Sequence, residues 1–185
     1  TPFAAAGGST VTITGSGFGP ASHSEISATY GSYTASSCAW ETPTEIQCTT
    51  VAGKGKDLKW TLEVGGQSSG AFTSTLTRYV IPTITGISTG DGGSPDSFST
   101  AGGDIVIISG SGFGAVCGAA SHSDISATYG SFTATPCYWI SATQIQCTTV
   151  AGIGNNLKWT VTISNQSSGA FSGNLTRYGN PTVSS

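Results

Sequence analysis

The sequence predicts an all-β protein built from two tandem sandwich modules. Three observations carry this: a long internal repeat, apolar and polar residues alternating with period two, and a cysteine pair recurring at one spacing in both copies. No segment carries a useful length of helical periodicity.

The repeat sets the domain organisation. Residues 21–82 align without a gap on residues 120–181, and about two-thirds of the positions are identical. Shared blocks include ISATYGS, IQCTTVAG, LKWT, QSSGAF and LTRY. Upstream, TGSGFG at residues 14–19 matches SGSGFG at 109–114, with an offset four residues shorter. The second copy therefore carries a four-residue insertion around residues 115–118, which brings in Cys117. A length change between two matched blocks reads as an exposed loop. The modules expected are residues 1–80 and 81–180, with 181–185 beginning a further first strand.

The strands follow in order. Residues 10–14 (TVTIT) and 105–109 (IVIIS) are rich in β-branched residues and read as strands. Residues 26–30 form another, closed by a turn at Gly31 and Ser32. In Trp60, Thr61, Leu62, Glu63 and Val64 the apolar side chains share an inner face and the polar ones point outward. Trp159, Thr160, Val161, Thr162 and Ile163 repeat the pattern. Gly65-Gly66 and Ser164-Asn165 stand where a tight hairpin turn belongs. Turn signals every 8–12 residues or so complete the sandwich pattern.

Five cysteines are present, and Cys38 and Cys48 recur as Cys137 and Cys147. The expected arrangement is two adjacent antiparallel strands bridged within each copy, Cys38–Cys48 and Cys137–Cys147. Buried free thiols are the alternative. Zinc fits poorly, because the four thiols fall on two modules and no CxxC pair exists. Disulfides persist in oxidising compartments, so the expected location is extracellular or on the cell surface. Cys117 is left over, either a free thiol or a partner for another chain.

Composition excludes several functions. The net charge is −3, with six Lys and Arg and no basic run, so no phosphate-neutralising stripe exists and nucleic acid is not an expected partner. No apolar stretch approaches the roughly 18 residues of a spanning helix, so no membrane insertion is expected of this segment. Ser and Thr take about three positions in ten and charged residues only 8%, which implies a hydroxyl-rich, weakly ionic surface.

Catalytic chemistry finds little support, and no cofactor is expected beyond covalent glycans. His23 and His122 each precede an acid by two residues (Glu25, Asp124), without a third ligand in view. The run from Gly15 to Gly19 is glycine-rich, but no helix or lysine follows as a phosphate loop requires, and Phe18 reads as a core plug. Asp91, Asp96 and Asp104 have no recognised calcium-loop spacing. Asn165-Gln166-Ser167 and Asn174-Leu175-Thr176 are N-glycosylation sequons, so Asn165 and Asn174 are expected glycan sites. O-linked sugars on the many Ser and Thr, especially over residues 88–100, are a further expectation.

The order of these motifs resembles the IPT/TIG family. The family's opening, a Pro-x-Ile strand, a Gly-Gly, a β-branched strand and a Gly-x-x-Phe-Gly turn, matches Pro82-Thr83-Ile84, Gly102-Gly103, residues 105–109 and residues 110–114. The first copy supplies Gly7-Gly8, residues 11–14 and residues 15–19. Ile46-Gln47-Cys48 with Gly53, Ile145-Gln146-Cys147 with Gly152, and the Gly65 to Ser68 hairpin match the family's middle and end. The resemblance implies immunoglobulin-like sandwiches of about seven strands each, used in adhesion, receptor stalks or extracellular arrays. The basic loops of DNA-contacting members are absent here.

The two copies differ at their ends. The second opens on a full first strand beginning at Pro82, whereas the first copy has no such segment before Gly7-Gly8. The tail, with Pro181, Thr182, Val183 and Ser184, aligns with the start of that strand. Either the sequence is a window of a longer tandem array, or the tail of one chain completes the sandwich of the next by β-strand addition. A head-to-tail contact of that kind propagates into a filament. The expected partners are copies of this chain or further IPT/TIG repeats. The other functions considered are a receptor stalk or adhesion segment, and an accessory carbohydrate-binding module resting on Trp40, Trp60, Trp139 and Trp159.

Overall fold

The computed structural model describes residues 1–21, 25–115 and 124–184, the side chains of residues 174 and 175 excepted. The chain divides into two compact units, Thr1–Val80 and Ile81–Ser185, here called module 1 and module 2. All the regular structure among the described residues is β.

Module 1 contains β1 (Thr10–Thr14), β2 (Ile26–Tyr30), β3 (Tyr33–Thr34), β4 (Ser37–Thr42), β5 (Glu45–Thr49), β6 (Leu58–Val64), β7 (Gln67–Ser68) and β8 (Phe72–Thr77). One sheet has the order β1-β5-β4; the other has the order β3-β2-β6-β7, with β8 also on β6. Module 2 contains β9 (Thr83–Thr89), β10 (Ile105–Ser111), β11 (Ile125–Tyr129), β12 (Phe132–Ala134), β13 (Cys137–Ser141), β14 (Gln144–Thr148), β15 (Leu157–Ile163), β16 (Gln166–Ser167) and β17 (Phe171–Thr176). Its sheets are β9-β10-β14-β13 and β12-β11-β15-β16, with β17 on β15. Among the described residues, with the two- and three-residue pieces set aside, module 2 has seven principal strands and module 1 has six. The strand that differs is β9.

Period-two patterning explains both cores. Along β6, Leu58, Trp60 and Leu62 are buried while Lys59 and Glu63 are exposed. Along β15, Leu157, Trp159, Val161 and Ile163 are buried. These inner faces meet Ile46 and Cys48 in module 1, and Val106, Ile108, Ile145 and Cys147 in module 2. Both hairpin turns adopt positive φ at their two central residues, Gly65-Gly66 and Ser164-Asn165, as tight primed turns require.

Each core includes a matched phenylalanine outside the regular strands. Phe3 forms a parallel bridge with Tyr79, and Phe98 repeats it with Tyr178. Both phenylalanines are buried and meet a stacked Tyr–Trp pair edge-on, Tyr30–Trp60 in module 1 and Tyr129–Trp159 in module 2.

Candidate functional site: an open sheet edge in module 1

In module 2, β10 lies between β14 and β9. In module 1, its equivalent β1 pairs with β5 alone among the described residues. The other edge of β1 is open. Module 1 has a groove of about 540 Å³ beside that edge, lined chiefly by Val11, Ile13, Phe18, Trp60, Leu62 and Phe72. Its walls are β1, β6 and β8. The equivalent strands of module 2, β10, β15 and β17, are those that β9 packs against.

The same positions are therefore buried to different degrees in the two copies. Val106 and Ile108 are fully buried, whereas Val11 and Ile13 are only half-buried. Phe171 packs against the core of module 2, but Phe72 is 54% exposed. Leu76, on the same strand as Phe72, is also exposed. An apolar groove beside unpaired backbone donors and acceptors has the chemistry of a strand-binding site.

Residues 180–184 form no strand, and Pro181, Thr182, Val183 and Ser184 are all exposed, Val183 by 99%. An aliphatic side chain that aligns with Ile84 of β9 thus stands wholly in solvent.

The cysteines pair within each module. Cys38 lies directly opposite Cys48 in the β4–β5 ladder, and Cys137 opposite Cys147 in β13–β14. Both pairs are disulfide-bonded, with Cα atoms 4.1 Å apart. Cys117 lies outside the described residues, as do His23 and His122. Asn165 is exposed at the hairpin tip and Asn174 lies on β17.

The tryptophans face inward. Trp60 and Trp159 are buried, and each Nε1–H donates to a threonine hydroxyl, Thr77 and Thr176, at 3.0 Å. The Nε1–H groups of Trp40 and Trp139 donate to the carbonyls of Gly19 and Phe113, pinning the glycine-rich turn. Trp40 and Trp139 are partly buried against the two cores.

A hydrogen-bonded ring recurs in both modules. The Val51 amide donates to the Tyr30 hydroxyl at 2.8 Å, Tyr30 and Tyr79 share a hydrogen bond of 2.9 Å, and Tyr79 donates to the Val51 carbonyl at 2.7 Å. Val150, Tyr129 and Tyr178 repeat it. Burial, then the hydrogen bond with Tyr30, pushes the Tyr79 phenol well above its ordinary range; burial and Tyr129 do the same for Tyr178. The spacing patterns did not reveal this ring, since its two tyrosines stand 49 residues apart.

The aspartates are engaged locally. The Thr89 hydroxyl and the Gly93 amide donate to Asp91, holding its carboxyl below the usual range. Ser94 donates to Asp96, and the Ser99 amide donates to Asp104. Among the described residues, no three His, Cys, Asp or Glu side chains converge on a metal-sized site.

Comparison with known proteins agrees with the architecture. The IPT/TIG domain matches the chain twice, at residues 1–79 and 82–178. A search of curated protein sequences gives no match. Among solved structures, the Plexin A4 full extracellular region aligns over 96% of this chain and 17% of its own, at 19% identity and a TM-score of 0.43. SGBP-B from a complex xyloglucan utilization locus in Bacteroides uniformis aligns over 97% of this chain and 47% of its own, at 18% identity and a TM-score of 0.38. Two tandem matches that together take in almost every residue leave one assignment: the chain belongs to the IPT/TIG domain family.

Proposed function

We propose that this chain is a non-catalytic building block of an extracellular filament or tandem surface array, glycosylated and assembled head to tail by β-strand addition. One observation carries the reading. Module 1 has an open edge and an apolar groove where module 2 has β9, and the exposed segment after β17 repeats the first residues of β9. The segment after β17 of one copy pairs with β1 and completes module 1 of the next. Its pairing covers an edge that is otherwise an aggregation liability. Because donor and acceptor are different surfaces of the chain, the contact is heterologous, and a rotation that does not close a ring makes it a linear polymer.

The two disulfides support an oxidising, extracellular setting. Glycans at Asn165 and Asn174 would keep so uncharged a surface in solution; an intact mass equal to that of the bare chain contradicts glycosylation. Assembly is tested by deleting residues 180–185 and imaging by electron microscopy. The deletion abolishes filaments. Filaments of unchanged repeat and abundance contradict strand addition.

A further inference from the structure

Resting on the strand-addition reading, we infer that the groove of module 1 is a sequence-selective strand site. Its ligand is an extended x-Pro-Thr-aliphatic segment, which the residues after β17 of a second copy supply. The segment runs antiparallel to β1 in the register that β9 keeps against β10.

Module 2 provides the template. Thr83 stands opposite Ser111, Ile84 opposite Gly110, Gly86 opposite Ser109 and Ile87 opposite Ile108, with Thr85 left over as a bulge. The Thr83 and Ser111 hydroxyls are hydrogen-bonded at 2.8 Å. Ile87 is buried and Ile84 packs against the core. Two glycines admit this strand. A Cβ on Gly110 would stand 2.0 Å from the Thr83 carbonyl oxygen, and one on Gly112 would stand 2.9 Å from that of Ile81 and 3.1 Å from the Pro82 Cα. Neither position accepts a larger residue while β9 is in place.

Module 1 keeps every receiving feature. Gly15, Ser16, Gly17 and Phe18 stand where module 2 has Gly110, Ser111, Gly112 and Phe113. Nothing lies within 4 Å of a Cβ built on Gly17, and a Cβ on Gly15 meets only the Phe18 ring. The clearance for an incoming x-Pro-Thr backbone is present and unfilled. The tail fits the same template. Pro181 takes the place of Pro82, Thr182 faces Ser16, Val183 faces Gly15, and Ser184 takes the bulge. Of the template's two aliphatic side chains, residues 181–184 carry the counterpart of Ile84, Val183. A peptide of residues 81–89 is therefore the stronger probe, because it brings both aliphatic side chains.

The test uses a fluorescein-labelled peptide of residues 81–89, titrated with the full chain and read by anisotropy. Saturable binding is expected, competed by excess unlabelled peptide. Ile87→Asp in the peptide weakens binding by about 10- to 100-fold, the worth of one buried aliphatic side chain. Omitting Thr85 weakens it by at least about tenfold, because the change of register turns the apolar face outward. The peptide of residues 179–185 binds more weakly than that of 81–89. Phe72→Asp, at an exposed position the fold tolerates, removes binding in the protein. Equal binding by native and Thr85-deleted peptides overturns the register while leaving strand addition in place. Absence of peptide binding, with filaments still lost on deletion of residues 180–185, overturns the groove as the site but not the role of the tail. Absence of both effects overturns the two readings together.

Discussion

Modules 1 and 2 share about two-thirds of their aligned residues, a disulfide at the same spacing, a hairpin and the tyrosine ring, yet among the described residues module 2 has one sheet strand, β9, with no counterpart in module 1. The difference is one strand. With β9 present, Val106, Ile108 and Phe113 are fully buried; without its counterpart, Val11 and Ile13 remain half in water and Phe72 stands exposed. Since the side chains lining the gap are still apolar, module 1 retains the composition of a closed sandwich in an open form. Exposed apolar surface beside an unpaired edge is the kind of surface on which another strand can pair.

Core truncation should separate the modules most strongly. Ile108→Ala is expected to destabilise module 2 by about 2–5 kcal/mol, as for a fully buried aliphatic side chain. Ile13→Ala should cost module 1 roughly half as much, because its side chain is already partly hydrated. Denaturant unfolding with module-resolved hydrogen exchange reads both, and equal losses would break the comparison.

The disulfides sharpen it from the other side. Each bridge links residues ten apart on adjacent strands, so each stabilises its module by about 2–3 kcal/mol on the chain-entropy account. Cys38→Ser with Cys48→Ser, and Cys137→Ser with Cys147→Ser, should therefore cost about the same. Module 1 is expected to unfold first in both backgrounds. A much larger loss in one module would mean that its bridge does more than close a short loop.

The smallest effect is shared. The fold raises the phenol pKa of Tyr79 and Tyr178, so the folded state holds these protons more tightly than the unfolded chain. Their contribution is complete below about pH 10, where unfolded tyrosine is protonated, and declines as the pH rises beyond it. Melting temperatures followed from pH 8 to pH 11, with phenolate absorbance, should fall only above about pH 10. A decline between pH 8 and 9 would point to other groups.

Much of this was legible in the residues. Alternation along Trp60, Thr61, Leu62, Glu63 and Val64 specified an inner face, and Gly65-Gly66 specified a turn, because both are local consequences of backbone geometry. The cysteine pairs were legible because one spacing recurs and places the thiols across a hairpin. Phe72 and Phe171 show where such reading stops. They lie in identical Ala-Phe contexts, but one is exposed and the other packed, since burial depends on whether another strand covers them. Gly15 and Gly17 were read as parts of a turn around Phe18. The proposed second role, leaving room for an incoming backbone, has no mark in the spacing: it rests on the close approach of Gly110 to Thr83 and of Gly112 to Ile81 and Pro82. Phe3 and Phe98 were also missed as a matched pair, although each precedes its Gly-Gly by four residues.

Cross-linking between copies tests the central claim most directly. In module 2, Thr83 and Ser111 face each other across the ladder. Their counterparts under strand addition are Thr182 of one copy and Ser16 of the next. A chain carrying Ser16→Cys and Thr182→Cys, with Cys117→Ser, should form under mild oxidation a ladder of covalent oligomers whose only new bond joins residues 16 and 182. Monomers alone, or a ladder no stronger than that of a control with the second cysteine at Thr75, would contradict the account.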